Sequence, residues 1–206
     1  MIKYLNEHEK KQLFLQITND SSKYHIRNKA IFLLAKFCAL RAGEISLIKW
    51  NCFNIHKKSI YCQRLKNGNN NTLLIIDPDV LTAIEEYYNL INPNPSEYMF
   101  CSQKGTPISR KTLDSLMKKY CKGTNIDSEK HHFHVLRHTR AIELGEAGID
   151  VKDIQWWLGH KNINNTLIYL QFTTAQQKAL YIQLLQYQKN SSLYEELRKG
   201  PIAIYD

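Results

Sequence analysis

The sequence predicts a mostly helical α+β domain that contains one small antiparallel β-sheet. Helical segments with capping residues and terminal glycines recur along most of the 206 residues, whereas only Ser59 to Leu65 and Thr72 to Ile76 read as paired strands. Between these strands, residues 66–71 read KNGNNN, which is typical of a hairpin turn. The length and the apolar content of 43% fit one well-buried globular domain with a small appendage.

The N-terminal elements are predicted from their caps and apolar patterns. Asn6 and Glu9 stand three residues apart at the start of EHEKKQLFLQI, so a capping box opens the first helix. His25 to Leu40 is largely apolar and should form a core helix. The next predicted segments are a loop over Asn19 to Lys23, the start of a helix over Ala42 to Ile48, a helix over Asp79 to Ile91 and a surface loop over 92–97.

Capping residues and glycines bound the helices predicted in the C-terminal half. Ser109 should cap a helix that runs to Lys122 and stops at Gly123. The other predicted segments are a short strand over Tyr98 to Cys101, a helix over Phe133 to Ala147, a helix capped by Asp150 that stops at Gly159, helices over Asn164 to Phe172 and Ala175 to Tyr187, and a polar tail over 188–206. Residues 1–187 are thus expected to form a single domain.

The charge balance points to a polyanionic partner. Lys and Arg outnumber Asp and Glu by 28 to 19, which gives a net charge of +9 and favours nucleic acid over a membrane surface. The longest apolar run, Ala30 to Leu40, contains Lys36 and is too short to cross a bilayer. The 5 cysteines include no CxxC pair, and no signal peptide is visible, so we expect reduced thiols and a cytoplasmic location near the nucleoid.

The segment from His134 to Tyr169 carries most of the chemical information. It reads HVLRHTRAIELGEAGIDVKDIQWWLGHKNINNTLIY and places Arg137 three residues after His134, with His160 and Tyr169 further on. A phosphodiester resists attack because its oxygens are already negative, so fixed cations aimed at those oxygens favour transesterification. Arginine suits this task because its planar fork grips two oxygens and stays protonated.

The order Arg, Lys, His-x-x-Arg, Gly-His, Tyr resembles the tyrosine recombinase (phage-integrase-type) family. The resemblance runs from about Tyr4 to Thr174. It is strongest to the short fimbrial phase-variation recombinases, which share an opening like YLNEHE, a hairpin like QRLKNG and the phrase GHKNINNTLIY. The matching catalytic positions are Arg41, Lys66, His134, Arg137, His160 and Tyr169.

The resemblance implies a role for each of these residues. Tyr169 attacks the phosphate and becomes joined to the 3′ phosphate, while Lys66 protonates the departing 5′ oxygen. His134 is the candidate base for the phenol and could equally bind the scissile phosphate, to which His160 donates a hydrogen bond. Arg41 and Arg137 clamp the same phosphate.

Further residues are expected to support the site or to bind DNA. Glu44 should orient Arg41, and His138 should be a buried hydrogen-bonding residue. We expect no cofactor and no metal, because position 135 is Val where a zinc protease carries Glu. Cations expected to contact DNA phosphates include Lys49, Arg110, Lys111, Arg140 and Lys161.

The resemblance also implies an assembly. The expected partner is double-stranded DNA with inverted-repeat-like sites, bound by a bacterial homo-oligomer (dimer or tetramer) with possible DNA-bending accessory proteins. Larger family members carry an N-terminal core-binding domain, which is not expected here, and a C-terminal helix such as 175–187 is exchanged between protomers. Two alternatives are a catalytically silent DNA-binding regulator and a type IB topoisomerase-like enzyme that relaxes DNA.

Overall fold

The computed structural model describes residues 2–170 and 181–187. Its α-helices are α1 Glu7–Thr18, α2 His25–Phe37, α3 Ala42–Ile45, α4 Pro78–Ile91, α5 Arg110–Cys121, α6 Val135–Glu146, α7 Val151–Leu158 and α8 Asn164–Leu170. Short 3-10 helices cover Trp50–Cys52 and Ser128–Lys130, and residues 181–187 are also helical. None of the helices in these described ranges is long and apolar enough to span a membrane.

One antiparallel sheet interrupts the helices. Its strands are β1 Phe53–Asn54, β2 Ser59–Cys62 and β3 Asn71–Leu74, in the order β1-β2-β3. In the β2–β3 register, Cys62 pairs with Asn71, so the hairpin turn between them holds Lys66. Lys66 and Asn67 have φ angles of 59° and 58°, a left-handed conformation that tight turns require and that favours glycine or asparagine.

Helix α2 forms the centre of the main core. Its residues Ile31, Phe32 and Leu34 are fully buried, and α2 packs against α1, α4 and α6. The Phe32 ring makes edge-to-face contacts with the rings of Tyr120 and Phe133, each at 5.3 Å between centroids. This packing fixes α6, and with it the HVLRHTR segment, against the element that leads into Arg41.

A second apolar cluster joins α6, α7 and α8. It contains Ile142 and Leu144 of α6, Ile154 and Leu158 of α7, and Tyr169 of α8. Tyr169 is 3% exposed, so the phenol of this tyrosine is part of a packed interior and not of the open surface.

The predicted helix boundaries agree with the structure where the caps are local. The capping box of Asn6 and Glu9 is present, Ser109 Oγ accepts the Thr112 N–H at 3.0 Å, and Gly159 ends α7 with a φ of 64°. These agreements follow from contacts within one helical turn.

Other predictions were too long or wrong. The strands are shorter than predicted, and the helix predicted over Ala42 to Ile48 ends at Ile45. Tyr98 to Cys101 is not a strand, because these residues make only isolated bridges to Lys49 and Pro107. Strand β1 and the two 3-10 helices were not predicted. Parts of the predicted C-terminal segments lie outside the described residues. These parts are the end of the helix predicted to Phe172, the first half of the helix predicted from Ala175, and the tail over 188–206.

Candidate active site

One buried carboxylate organises the arginines of the site. Glu44 is 2% exposed, and its two oxygens accept hydrogen bonds from the backbone N–H and the Nη1 of Arg41, at 2.9 and 2.7 Å. The backbone N–H of Leu65 donates to the same carboxylate at 3.1 Å. The Glu44 pKa lies below its ordinary value: burial works against this, but the nearby Arg64, Arg137 and Arg41 outweigh it. That Glu44 orients Arg41 for catalysis stays a prediction, which these hydrogen bonds support.

Arg64 is a buried partner of Glu44 that the sequence analysis missed. Its side chain is fully buried, with Nη1 at 3.3 Å from Glu44 Oε2 and Nη2 donating to the carbonyls of Cys38 and Trp157. Its Nε donates to Asn71 Oδ1 at 3.1 Å. Arg64 therefore ties the hairpin to the ends of α2 and α7. The motif QRLKNG contained it, but an arginine two residues before a turn lysine gives no local signal of burial.

Arg137 is buried beside the same carboxylate. It is 1% exposed, its Nη1 donates to the Ala39 carbonyl at 2.6 Å, and its Nη2 donates to the Leu158 carbonyl at 2.7 Å. Its Nη1 also lies 3.9 Å from Glu44 Oε2. Burial, with a further contribution from the neighbouring Arg41, lowers the Arg137 pKa to about 9. At neutral pH the group is still cationic, so Arg41 and Arg137 form a fixed pair of positive charges around Glu44.

An open cleft lies next to this pair. It has a volume of about 380 Å³ and is lined by Arg41, Lys66, Arg110 and His134, together with Ala42, Gly43 and Leu65. The Arg110 guanidinium lies against Gly43, where a Cβ atom would come within 2.5 Å of Nη2. Three cationic side chains thus face one cavity, which suits a polyanion.

Gly159 holds the hairpin close to His160. Its carbonyl accepts the Asn69 N–H at 3.0 Å, and a Cβ atom at this glycine would meet Arg64 Cγ at 2.5 Å. Because its φ is also positive, at 64°, no other residue fits here without strain. This contact brings the turn that carries Lys66 to the end of α7.

Tyr169 is hydrogen-bonded to His138 and not to His134, the candidate base named from the sequence. Its hydroxyl lies 3.0 Å from His138 Nδ1, and the His138 ring packs edge-to-face on His134 at 4.5 Å between centroids. His134 instead lines the cleft with Arg41 and Lys66. The two histidines of HVLRH therefore face different parts of the site.

His160 is buried next to the tyrosine. It is 7% exposed, and its ring lies parallel to that of Tyr169 at 6.4 Å between centroids. Its Nδ1 is 2.9 Å from the hydroxyl of Thr166, which is fully buried. Thr166 is a second site residue that the sequence analysis missed, although it lies in the GHKNINNTLIY phrase.

The histidines of the site are neutral near pH 7. Burial lowers the pKa of His134 to about 3, with further contributions from His138 and Arg137. Burial likewise lowers the pKa of His138 to about 4 and that of His160 to about 3. A neutral imidazole has one nitrogen that donates and one that accepts, so each ring can serve both roles.

The phenol of Tyr169 experiences two opposing effects. Burial raises its pKa above the ordinary value, and the charges of Arg137 and Arg41 lower it again, with burial the stronger. The phenol is therefore protonated at neutral pH and needs a base before it can attack.

The remaining predicted cations lie in varied surroundings. Lys111 and Lys161 are exposed, and Lys49 lies 5.4 Å from the Tyr98 ring centroid. Arg140 is held differently: its guanidinium lies over the rings of Phe37 and Trp157 and pairs with Glu143. Within residues 2–170 and 181–187 there is no group of three or more His, Cys, Asp or Glu side chains that could hold a metal ion.

Comparison with known proteins identifies the family. The model of the phage integrase family matches residues 3–176. The chain belongs to the phage integrase family. It is 32% identical over 146 residues to the type 1 fimbriae regulatory protein FimB of Escherichia coli, covering 69% of this chain and 72% of FimB. The predicted family is thereby confirmed.

Other relatives are longer than this chain. The tyrosine recombinase XerD of Halalkalibacterium halodurans is 28% identical over 178 residues, covering 84% of this chain and 58% of XerD. The crystal structure of XerA recombinase matches with a TM-score of 0.73 and 24% identity, over 89% of this chain and 65% of that one. A XerH recombinase bound to its difH DNA matches with a TM-score of 0.73 and 21% identity, over 87% and 52%. These structures confirm the predicted fold class.

Proposed function

We propose that this family member is a site-specific DNA recombinase that cuts and rejoins strands through a covalent 3′-phosphotyrosyl intermediate. The observation that carries the proposal is the pair of guanidiniums fixed by Glu44, with the Tyr169 hydroxyl held 3.0 Å from Nδ1 of His138, the residue after Arg137. The relative named tyrosine recombinase XerD supports the same reaction class, and the structural neighbour XerH is described as a site-specific recombinase bound to its difH substrate.

In the proposed step, Arg41 and Arg137 bind the non-bridging oxygens of the scissile phosphate. Arg137 is already held by two carbonyls and Arg41 by Glu44, so little reorganisation is needed when charge develops in the transition state. His134, which lines the same cleft, donates to the phosphate. The Tyr169 oxygen forms a bond to phosphorus as the bond to the 5′ oxygen breaks.

Lys66 is the proposed acid for the departing 5′ oxygen. It is exposed on the hairpin turn and lines the cleft with Arg41. The energy of the broken linkage is kept in the phosphotyrosyl bond, so the reverse attack by a 5′ hydroxyl reseals the strand. The proposed reaction uses no nucleotide or metal cofactor.

Thr166 is proposed to set the tautomer of His160. If the Thr166 hydroxyl donates to Nδ1, the single ring proton of the neutral imidazole resides on Nε2, where it can be donated to a phosphate oxygen. We assign this tautomer because the ring is neutral and a phosphate accepts but does not donate.

The proposed assembly is a homo-oligomer on double-stranded DNA with inverted repeats. Residues 1–187 would form the catalytic domain, with Arg110, Lys111 and Lys161 against phosphates. Segment 181–187 is helical and its apolar side chains are exposed, among them Tyr181, Leu184 and Leu185. An exposed apolar helix face is suited to packing on a neighbouring protomer.

A nicked suicide substrate tests the proposal. Duplexes carrying inverted repeats identified by inspecting the DNA that flanks the coding sequence would be incubated with the protein and run on denaturing gels. Wild-type protein should form a protein-linked DNA band, and Tyr169→Phe should bind the same duplex without forming it. Tyr61→Phe, which changes an exposed tyrosine of β2, is the matched control and should react normally.

Three outcomes would contradict the proposal. Adduct formation by Tyr169→Phe would mean that another tyrosine is the nucleophile. Binding without any adduct in the wild type would favour a silent regulator. Relaxation of supercoiled plasmids lacking the repeats, by a monomer, would favour a type IB topoisomerase-like enzyme.

A further inference from the structure

The two histidines at the start of α6 divide the site between them. His134 lines the cleft that also contains Arg41 and Lys66, and among residues 2–170 and 181–187 the structure gives its ring no hydrogen bond to Tyr169. His138, one helical turn later, lies 3.0 Å through Nδ1 from the Tyr169 hydroxyl. A general base must lie within about 2.6–3.2 Å of the proton that it removes. Of the two, only His138 meets this requirement in the described structure.

The direction of the hydrogen bond follows from the chemistry of both groups. The phenol is protonated, since burial raises the Tyr169 pKa, and a phenol prefers to donate. The His138 ring is neutral, so its Nδ1 is free to accept while Nε2 carries the ring proton. The Tyr169 proton is therefore already directed at an accepting nitrogen before DNA binds.

We propose that His138 is the base that removes the Tyr169 proton, and that His134 acts on the phosphate. The inference rests on the proposed function. As the Tyr169 O–H bond breaks, the proton moves to His138 Nδ1, the phenol oxygen bonds to phosphorus, and the 5′ oxygen leaves with a proton from Lys66. In resealing, the 5′ hydroxyl gives its proton to Lys66 as its oxygen bonds to phosphorus, and His138 returns the proton to the departing Tyr169 oxygen.

The surroundings of His138 explain how the charge is handled. On its own helix it faces His134 and Arg137, from α8 it faces Tyr169, and the preceding loop brings His132 near. These neighbours are neutral or positive, so an isolated imidazolium is disfavoured there, as the lowered pKa of about 4 shows. The negative charge of the bound phosphate stabilises the proton on His138 only while the substrate is present.

The test is the pH dependence of cleavage by isosteric variants. In His138→Asn, the amide oxygen can occupy the position of Nδ1 and accept a hydrogen bond, but the amide cannot take up a proton. On the nicked duplex made with a 5′-bridging sulfur, cleavage does not depend on an acid for the leaving group. His138→Asn should cleave about a hundredfold more slowly than the wild type at neutral pH. The deficit should shrink about tenfold per pH unit, because hydroxide then ionises the phenol in advance.

His134→Asn is the matched control. It should also be slow, because a phosphate contact is lost, but its deficit should be the same at every pH. The assignment would be overturned if the rate deficit of His134→Asn shrank as the pH rose, or if that of His138→Asn did not. A wild-type cleavage rate in His138→Asn would also overturn it. If His138→Asn fails to fold, His138→Gln takes its place, and the pH dependence of its cleavage rate is compared with that of His134→Asn. If the wild type itself forms no adduct, the proposed function fails instead.

Discussion

Glu44→Gln should destabilise the fold while barely changing its volume. The carboxylate accepts four hydrogen bonds, two from Arg41 and one each from Arg64 and Leu65, and it neutralises the buried Arg137. A glutamine keeps one acceptor oxygen, turns an N–H₂ group towards donors and leaves the guanidiniums without a counter-charge. Breaking a buried ion pair in this way costs about 3–5 kcal/mol, so the free energy of unfolding should fall by about that amount.

Urea denaturation at pH 7, followed by circular dichroism, measures this change. Glu86→Gln is the matched control, because Glu86 pairs with Lys29 at 3.4 Å on the surface, where such pairs contribute about 0–1 kcal/mol. Glu44→Gln should also slow cleavage of the nicked duplex, since Arg41 loses its anchor. A loss of stability no larger than that of Glu86→Gln would refute the role given to the buried carboxylate.

The pH dependence of that stability has a definite sign. The Glu44 pKa in the folded protein lies below its ordinary value, so the stabilisation is complete above that ordinary value and is lost as the pH falls through the folded pKa. Acid unfolding of the wild type should therefore be steeper than that of Glu44→Gln, which lacks the titrating group.

Three further predictions concern single residues or the whole surface. Lys66→Ala should cleave the ordinary nicked duplex about a hundredfold more slowly and should recover on the 5′-bridging sulfur duplex; equal losses on both would exclude an acid role. Thr166→Val should lower the free energy of unfolding by about 1 kcal/mol and slow cleavage, because His160 loses its tautomer partner; wild-type cleavage would contradict the assignment. The logarithm of DNA affinity should fall with the logarithm of salt concentration at about −0.9 per neutralised phosphate, and a flat profile in filter binding would argue against phosphate contacts.

The sequence was sufficient for the elements whose causes are local. Helix ends were predicted correctly where a cap forms within one turn of the chain. Examples are the capping box of Asn6 and Glu9, the N-cap Ser109 and the C-terminal Gly159. The hairpin around Lys66 followed from its turn residues in the same way. Strand β1 was missed because its two residues are too few to show a strand pattern. Tyr98 was misread because its bridge partner, Lys49, comes from a distant part of the chain.

The sequence alone determined the family, the helical fold with one small sheet, and the order of the residues proposed to act on DNA. Only the tertiary structure decided how these residues meet. Arg64 is buried against Glu44, and the Tyr169 hydroxyl is hydrogen-bonded to His138 and not to His134. Two histidines one turn apart look equivalent in a sequence. Which one meets a tyrosine 31 or 35 residues away depends on how α6 and α8 pack, and that packing is set by apolar contacts along both helices.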